Sequence, residues 1–241
     1  MIVVVIIAVI IAVAVPNILR SRMAANESAC VANLRTIATQ EFAFSRAAEV
    51  DQDGDNTGEF GWLAELAGEI CPRRDPAVPN PTRTDPPFVS PGFATHASAG
   101  PGYAVKSGYC YRLYLCVSDP SAGNDGGDDR NTNGTDSSWG TPLDRINDMH
   151  IINFQEMTFC CQAWPLEHHQ TGQRAFAVNE IGSSYSTRMQ NTTYSGSLAE
   201  MDDYSAHCSA NMNDGGSCFK DPFASGPDDP GNDGNIWNPP G

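Results

Sequence analysis

Three carboxylates on alternate residues, Asp51, Asp53 and Asp55, followed by Glu59, are the densest chemical signal in this 241-residue chain. Carboxylates spaced this way around a turn can wrap a hard cation with oxygens at ~2.3–2.6 Å, the ligand chemistry of calcium. A complete twelve-residue calcium loop places Gly sixth and Glu twelfth. Here those positions hold Asn56 and Trp62, while Gly54 and Gly58 supply turns. An Asx-rich polar turn accounts for the same residues. Calcium is therefore the one cofactor the sequence suggests, and none is required. A second acidic stretch, with Asp125, Asp128 and Asp129, sits in the long polar segment Ser118 to Gly140 and reads as solvated coil.

The eight cysteines are Cys30, Cys71, Cys110, Cys116, Cys160, Cys161, Cys208 and Cys218. None forms a CxxC pair, so zinc and haem spacings are absent. An even count in a chain rich in Gly, Pro, Asn and Asp suits disulfides in an oxidising compartment, with buried free thiols as the alternative. Eight cysteines allow 105 connectivities. The best single pair is Cys208–Cys218, closing an irregular loop. Cys110 and Cys116 share a strand face and look to Cys160 and Cys161, and Cys30–Cys71 would tie a helix to a proline-rich loop.

The five histidines, His96, His150, His168, His169 and His207, show no HExxH or HxH spacing. Adjacent Glu167, His168 and His169 would point different ways from a strand or turn. No GxSxG, P-loop or helix-opening GxGxxG occurs, so an enzyme is not expected. With 14 basic against 29 acidic residues the net charge is −15, which repels phosphate backbones and argues against a nucleic-acid partner.

The elements that carry these residues begin with a helix. From Ile2 to Val15 no residue is polar, and after Pro16 the pattern turns amphipathic: Ile18, Leu19, Met23, Cys30, Val31, Leu34, Ile37, Ala38 and Phe42 recur at threes and fours. One long helix to about Arg46 is predicted, kinked or locally melted at Pro16. GWLAELAG reads as a short helix placing Trp62, Leu63 and Leu66 on the long one. Cys71 to Gly102 is a proline-rich surface loop. Gly108 to Ser118 is the clearest strand, MTFCCQAWP a second, and Ala175–Val178 turns near Glu180-Ile181-Gly182 into Ser183–Thr187 as a hairpin. The tail from Asp202 reads as irregular coil.

The stretch MIVVVIIAVIIAVAVPNILRSRMAANESACVANLRTIATQEFAF resembles the amino-terminal helix of type IV pilins and type II secretion pseudopilins. In that family a hydrophobic half-helix ends near a proline, often followed by asparagine, as in Pro16-Asn17 here. It continues into an amphipathic half that bears a β-rich head. CQAWPLEHHQTGQRAFAVNEIGSSYSTR is similar to the closing hairpin of pseudopilin-type proteins, through Thr171, Gly172, Arg174, Phe176, Val178, Asn179 and Gly182. The family's basic leader, cleavage-site glycine and glutamate-bearing first residues have no counterpart, since Met1 falls inside the hydrophobic half. About six preceding residues are expected, bringing the apolar run to ~20, a full span.

The expected fold is α+β: an assembly and transmembrane helix over 1–48, and over 49–241 a β-rich head whose antiparallel sheet packs on the amphipathic half, with disulfide-stapled loops. The resemblance implies a subunit of an extracellular pilus-like filament, held in the inner membrane before assembly and handled by pilus or secretion machinery. Copies of the chain would polymerise through Ile2, Val5, Ile6, Val9, Ile10, Val13, Pro16, Leu19 and Met23. A periplasmic type II secretion pseudopilin and a membrane-anchored binding domain that never polymerises are the alternatives. Sequons at Asn133 and Asn191 lie in polar loops open to glycan; the one at Asn26 lies on the helix and is expected to be inaccessible.

Overall fold

Helix α1 spans Ile2–Arg46 without a break, with Pro16 inside it. The computed structural model describes residues 2–73, 83–94, 102–115, 155–196, 231 and 234–238. Pro16 withdraws one donor from the ladder, yet the expected local melting is not seen. The first half is rich in β-branched Val and Ile, which are mediocre helix formers in water. In an apolar surrounding the backbone must satisfy itself, and a helix does so. The chain leaves α1 through Ala48, whose left-handed φ of 48° ends the helix.

The stripe that α1 buries is Cys30, Leu34, Ile37, Ala38, Glu41 and Phe44, at intervals of three and four. It differs from the expected stripe at both ends. Ile18 and Leu19 lie exposed beyond the head. Phe42 is 38 % exposed and meets Phe60 and Phe159 edge-on at 5.6 and 6.2 Å, while Glu41 takes the inward position.

The stripe lies on a five-stranded antiparallel meander in the order β1-β2-β3-β4-β5. The strands are β1 (Tyr103–Lys106), β2 (Tyr109–Leu115), β3 (Phe159–Pro165), β4 (Ala175–Asn179) and β5 (Ser184–Thr187). The fold is thus α+β, as expected. Both predicted strands and the closing hairpin lie where the pattern places them, within one to three residues. Strand β1 was not anticipated. It joins β2 through Ser107 and Gly108, with φ of 53° and 75°, and positive φ at both central residues gives the turn whose twist suits a hairpin.

Seven consecutive residues are buried in both β2 and β3, so the sheet is covered on two faces. Tyr109, Tyr111, Leu113, Phe159, Cys161, Phe176 and Val178 face α1. On the far side Tyr103, Cys110, Trp164, Ala175 and Ala177 pack against Met189, Tyr194 and Trp237. Residues 234–238 form no helix or strand, as expected of an irregular tail, but they are tied firmly to the sheet. Asn238 and Ser186 exchange backbone hydrogen bonds of 2.7 and 2.9 Å on the outer edge of β5, and Trp237 and Asn235 are fully buried. Asn235 accepts from the backbone N–H groups of Asn191 and Thr192 and donates to the Thr192 carbonyl.

Candidate functional site

Helix α1 is long and apolar enough to cross a membrane, and none of its most hydrophobic stretch is buried against the described residues. Ile2, Val5, Ile6, Val9, Ile10, Val13 and Leu19 are 48–78 % exposed, and Pro16 is exposed with them. Met23 is half-buried, at the point where the head begins. The first eight of these residues thus form one apolar rod left uncovered by the described residues, and Met23 marks where it runs into the head. Fully covering a Val, Leu or Ile side chain gains about 1.5–3 kcal/mol, so a surface of this extent in water is strongly unfavourable.

The head grips α1 just past that rod. Asn26 donates through Nδ2 to the Thr171 carbonyl at 2.9 Å. Glu27 accepts from the Gln173 backbone at 2.9 Å and from Arg174 Nε at 3.0 Å. Arg174 is partly exposed, so this pair positions more than it stabilises. About two turns further on, Asn33 Nδ2 donates to the Tyr111 hydroxyl at 2.9 Å. Gly172 lies against Tyr109: a Cβ there would stand 2.7 Å from the ring's Cζ. Residues Thr171 to Arg174, the start of the Thr171 to Gly182 arrangement, are therefore the clasp that fixes the sheet on the helix. The sequence showed the pattern but not its contact with Asn26 and Glu27. That engagement agrees with the inaccessible sequon at Asn26.

At its far end α1 runs into the acidic loop. The carboxylates of Asp51, Asp53 and Asp55 offer ligand atoms all within 4.8 Å of one another. Asp51 accepts from the backbone N–H groups of Gly54 and Asn56, Asp53 from Asp55, and Asp55 from Thr57. The base of the loop is closed by Glu59 N–H to the Val50 carbonyl at 3.1 Å and Phe60 N–H to the Gln155 carbonyl at 2.9 Å. Ser45 Oγ donates to the Gly58 carbonyl at 2.5 Å. Glu59 is buried, one oxygen accepting from Gln52 N–H at 2.9 Å. Burial raises its carboxyl above the ordinary range. Glu156, which sequence reasoning passed over, faces the same loop. Burial first, then repulsion from Asp55, Asp53, Glu59 and Asp51, pushes its carboxyl up to about 7.

Below the loop lies a second buried acid. Glu41 is fully buried, and one oxygen accepts from Gly61 N–H at 3.0 Å while the other has no partner. Burial pushes its carboxyl well above the ordinary range, with Glu65 adding to the rise and Arg73 opposing it. Arg73 is itself held by Glu65 at 3.1 Å and by Gln155 at 2.7 Å. The native state therefore keeps Glu41 protonated at pH values where the unfolded chain, titrating near ~4.3, has released the proton. The stability this proton carries is present in full below ~4.3 and is lost as pH rises toward the raised native value, by up to about 1.4 kcal/mol per pH unit. Glu41→Gln is expected to flatten that part of the decline. Melting temperatures of wild type and variant between pH 5 and pH 8 check this: the gap widens with pH if Glu41 is the source and stays constant if it is not.

The cysteine expectation is corrected for the described cysteines. Cys30, Cys110 and Cys161 are free thiols, and no disulfide joins two of the described cysteines. Cys30 is sealed under α1 against Tyr111 whereas Cys71 is exposed, so they do not meet. Cys110 stands opposite Trp164, and Cys160 opposite Tyr114. Four residues of strand, roughly 13 Å, separate the two, beyond the reach of a disulfide. Cys161 faces α1, on the other side of the sheet. Burial raises the Cys30 and Cys161 thiols, keeping them protonated and unreactive. Cys116, Cys208 and Cys218 lie outside the described residues, as do Asn133 and the Asp125, Asp128 and Asp129 stretch.

His168 and His169 do not point apart. The left-handed φ of 66° at His169 brings their rings to 3.9 Å. Neither belongs to a metal-competent group; among the described residues the three aspartates form the one such cluster. Asn191 is exposed, but its Nδ2 donates to the Gly234 carbonyl, a bond that a glycan would have to displace. Compared with protein-family models, with curated proteins and with solved structures, the chain gives no match.

Proposed function

We propose that the chain is a structural subunit of an extracellular type IV pilus-like filament, which polymerises through the apolar half of α1. The observation that carries this reading is an unbroken helix whose apolar half is left bare by its own head while its second half is clasped through Asn26, Glu27 and Asn33. Lipid covers the rod in the inner membrane before assembly. In the filament, the same rods of neighbouring subunits replace lipid. Val, Ile and Ala carry no polar side-chain atoms, so the exchange leaves no hydrogen bond unmade. The clasp makes the head a rigid outward projection of each rod, and assembly machinery draws subunits from the membrane one by one.

Negative-stain microscopy of material sheared from the cell surface, with gold-labelled antibody to the head, tests the proposal. The expected result is labelled filaments. Labelled short filaments confined to the periplasm would point to a secretion pseudopilus. Membrane-bound chain with no labelled filament anywhere would leave only a permanent anchor bearing a binding domain.

A further inference from the structure

We propose that Asp51, Asp53, Asp55, Glu59 and Glu156 form a calcium site that locks the end of α1 to the lead-in of β3. Three clustered aspartates alone would be an ordinary polar turn. The further observation is a pair of buried, unpartnered carboxylate oxygens, one on Glu59, whose backbone closes the base of the loop, and one on Glu156, next to the Gln155 carbonyl that Phe60 N–H meets. Glu59 is wholly buried, and its Oε2 accepts no hydrogen bond. Oε1 of Glu156 is likewise buried without a partner. Leaving a buried carboxylate oxygen unsatisfied is costly, and a cation answers both at once. Neighbouring Arg73 is committed to Glu65, Gln155 and the Phe60 carbonyl.

The loop also meets the backbone demand of a calcium loop more closely than its letters suggest. The sixth position must turn with positive φ, which is why glycine normally stands there. Asn56 occupies it with φ of 70°, a conformation asparagine tolerates. Counting from Asp51, the ninth position is Glu59 and the twelfth is Trp62, whose ring is buried in the core and unable to ligate. The missing twelfth carboxylate is supplied from elsewhere: the hydrogen bond from Phe60 to Gln155 brings the helical residues 155–157 alongside the loop, and with them Glu156. Oxygen-only, carboxylate-rich coordination on a pliable loop favours calcium over the smaller, more strongly hydrated magnesium. The ion would join segments about a hundred residues apart in sequence. This site lies in the head and does not depend on how α1 assembles.

Calorimetric titration of the full chain in detergent with Ca2+, repeated with Mg2+, tests the site. One Ca2+ is expected to bind per chain with Kd of about 1 mM or tighter, and Mg2+ more weakly. Glu156→Gln, which keeps the shape and removes one charge, is expected to weaken Ca2+ binding by about tenfold or more, as is Asp53→Asn. Glu69→Gln, on an exposed neighbouring acid, leaves it unchanged. In chelator the sign reverses: Glu156→Gln relieves repulsion and melts no lower than wild type, which also shows that it folds. No Ca2+ binding at about 5 mM, or a Glu156→Gln affinity within about twofold of wild type, overturns the proposal.

Discussion

Ile10→Arg is expected to remove the chain from membranes and from filaments, while its head melts where that of the wild type does. Ile10 is 61 % exposed and lies within the stretch of α1 that the head leaves bare. Substitution there touches no packed contact, and the head's stability should change by less than about 0.5 kcal/mol. In lipid the same change places a guanidinium near the middle of the span, costing about 2.5–3.5 kcal/mol on insertion scales, or roughly two orders of magnitude in partition. In a filament core no water or counter-charge answers it. Ala12→Phe separates the two environments. It keeps the apolar character and hence the anchor, yet adds bulk where neighbouring rods must approach closely. Membrane fractionation and microscopy of both variants provide the readout. Ile10→Arg loses both states, whereas Ala12→Phe stays in the membrane but forms no regular filament. Ala12→Phe filaments indistinguishable from wild type would contradict packing through this half of the helix.

The long helix was legible because its signals are local: an apolar run with no glycine, then a repeat at threes and fours. Strands β2 and β3 were legible as aromatic and apolar runs, but their two-sided burial was not. It depends on Trp237, which returns from more than fifty residues beyond β4 to cover the far face. The Ser107-Gly108 turn was a usable hairpin signal, obscured by the proline-rich stretch before it. At the acidic loop, sequence located Asp51, Asp53, Asp55 and Glu59 but counted Asn56 as a defect, because letters do not report φ. Glu156 was beyond reach, since its approach is set by one backbone hydrogen bond across the fold. For the described cysteines the disulfide expectation failed for a related reason. Cysteine count reports compartment chemistry, whereas pairing needs geometry, and the sheet register sets Cys110 and Cys160 four positions apart.

Trp237→Ala should destabilise the head more than any other single truncation in the segments after β5. The indole is wholly buried beside Trp164, Ala175, Ala177, Met189 and Tyr194, with Asn235 and Asn238 pinning the backbone on either side. Removing it combines lost apolar transfer with a cavity that the pinned backbone cannot close, a loss of about 3–5 kcal/mol. For a head of this size that corresponds to a melting temperature lower by roughly 10 °C. Ile181→Ala, at a residue 74 % exposed, is the matched control and should shift melting by less than about 0.5 kcal/mol. The two outcomes separate a structural segment from a passive tail. If 234–238 merely drapes over the sheet, Trp237→Ala resembles Ile181→Ala. If it completes the second core, the variant also exposes Cys110 and Trp164, and faster labelling of the Cys110 thiol accompanies the fall in melting temperature. The second result is expected, because β2 and β3 carry apolar residues on both faces and cannot be stable with one of them wet.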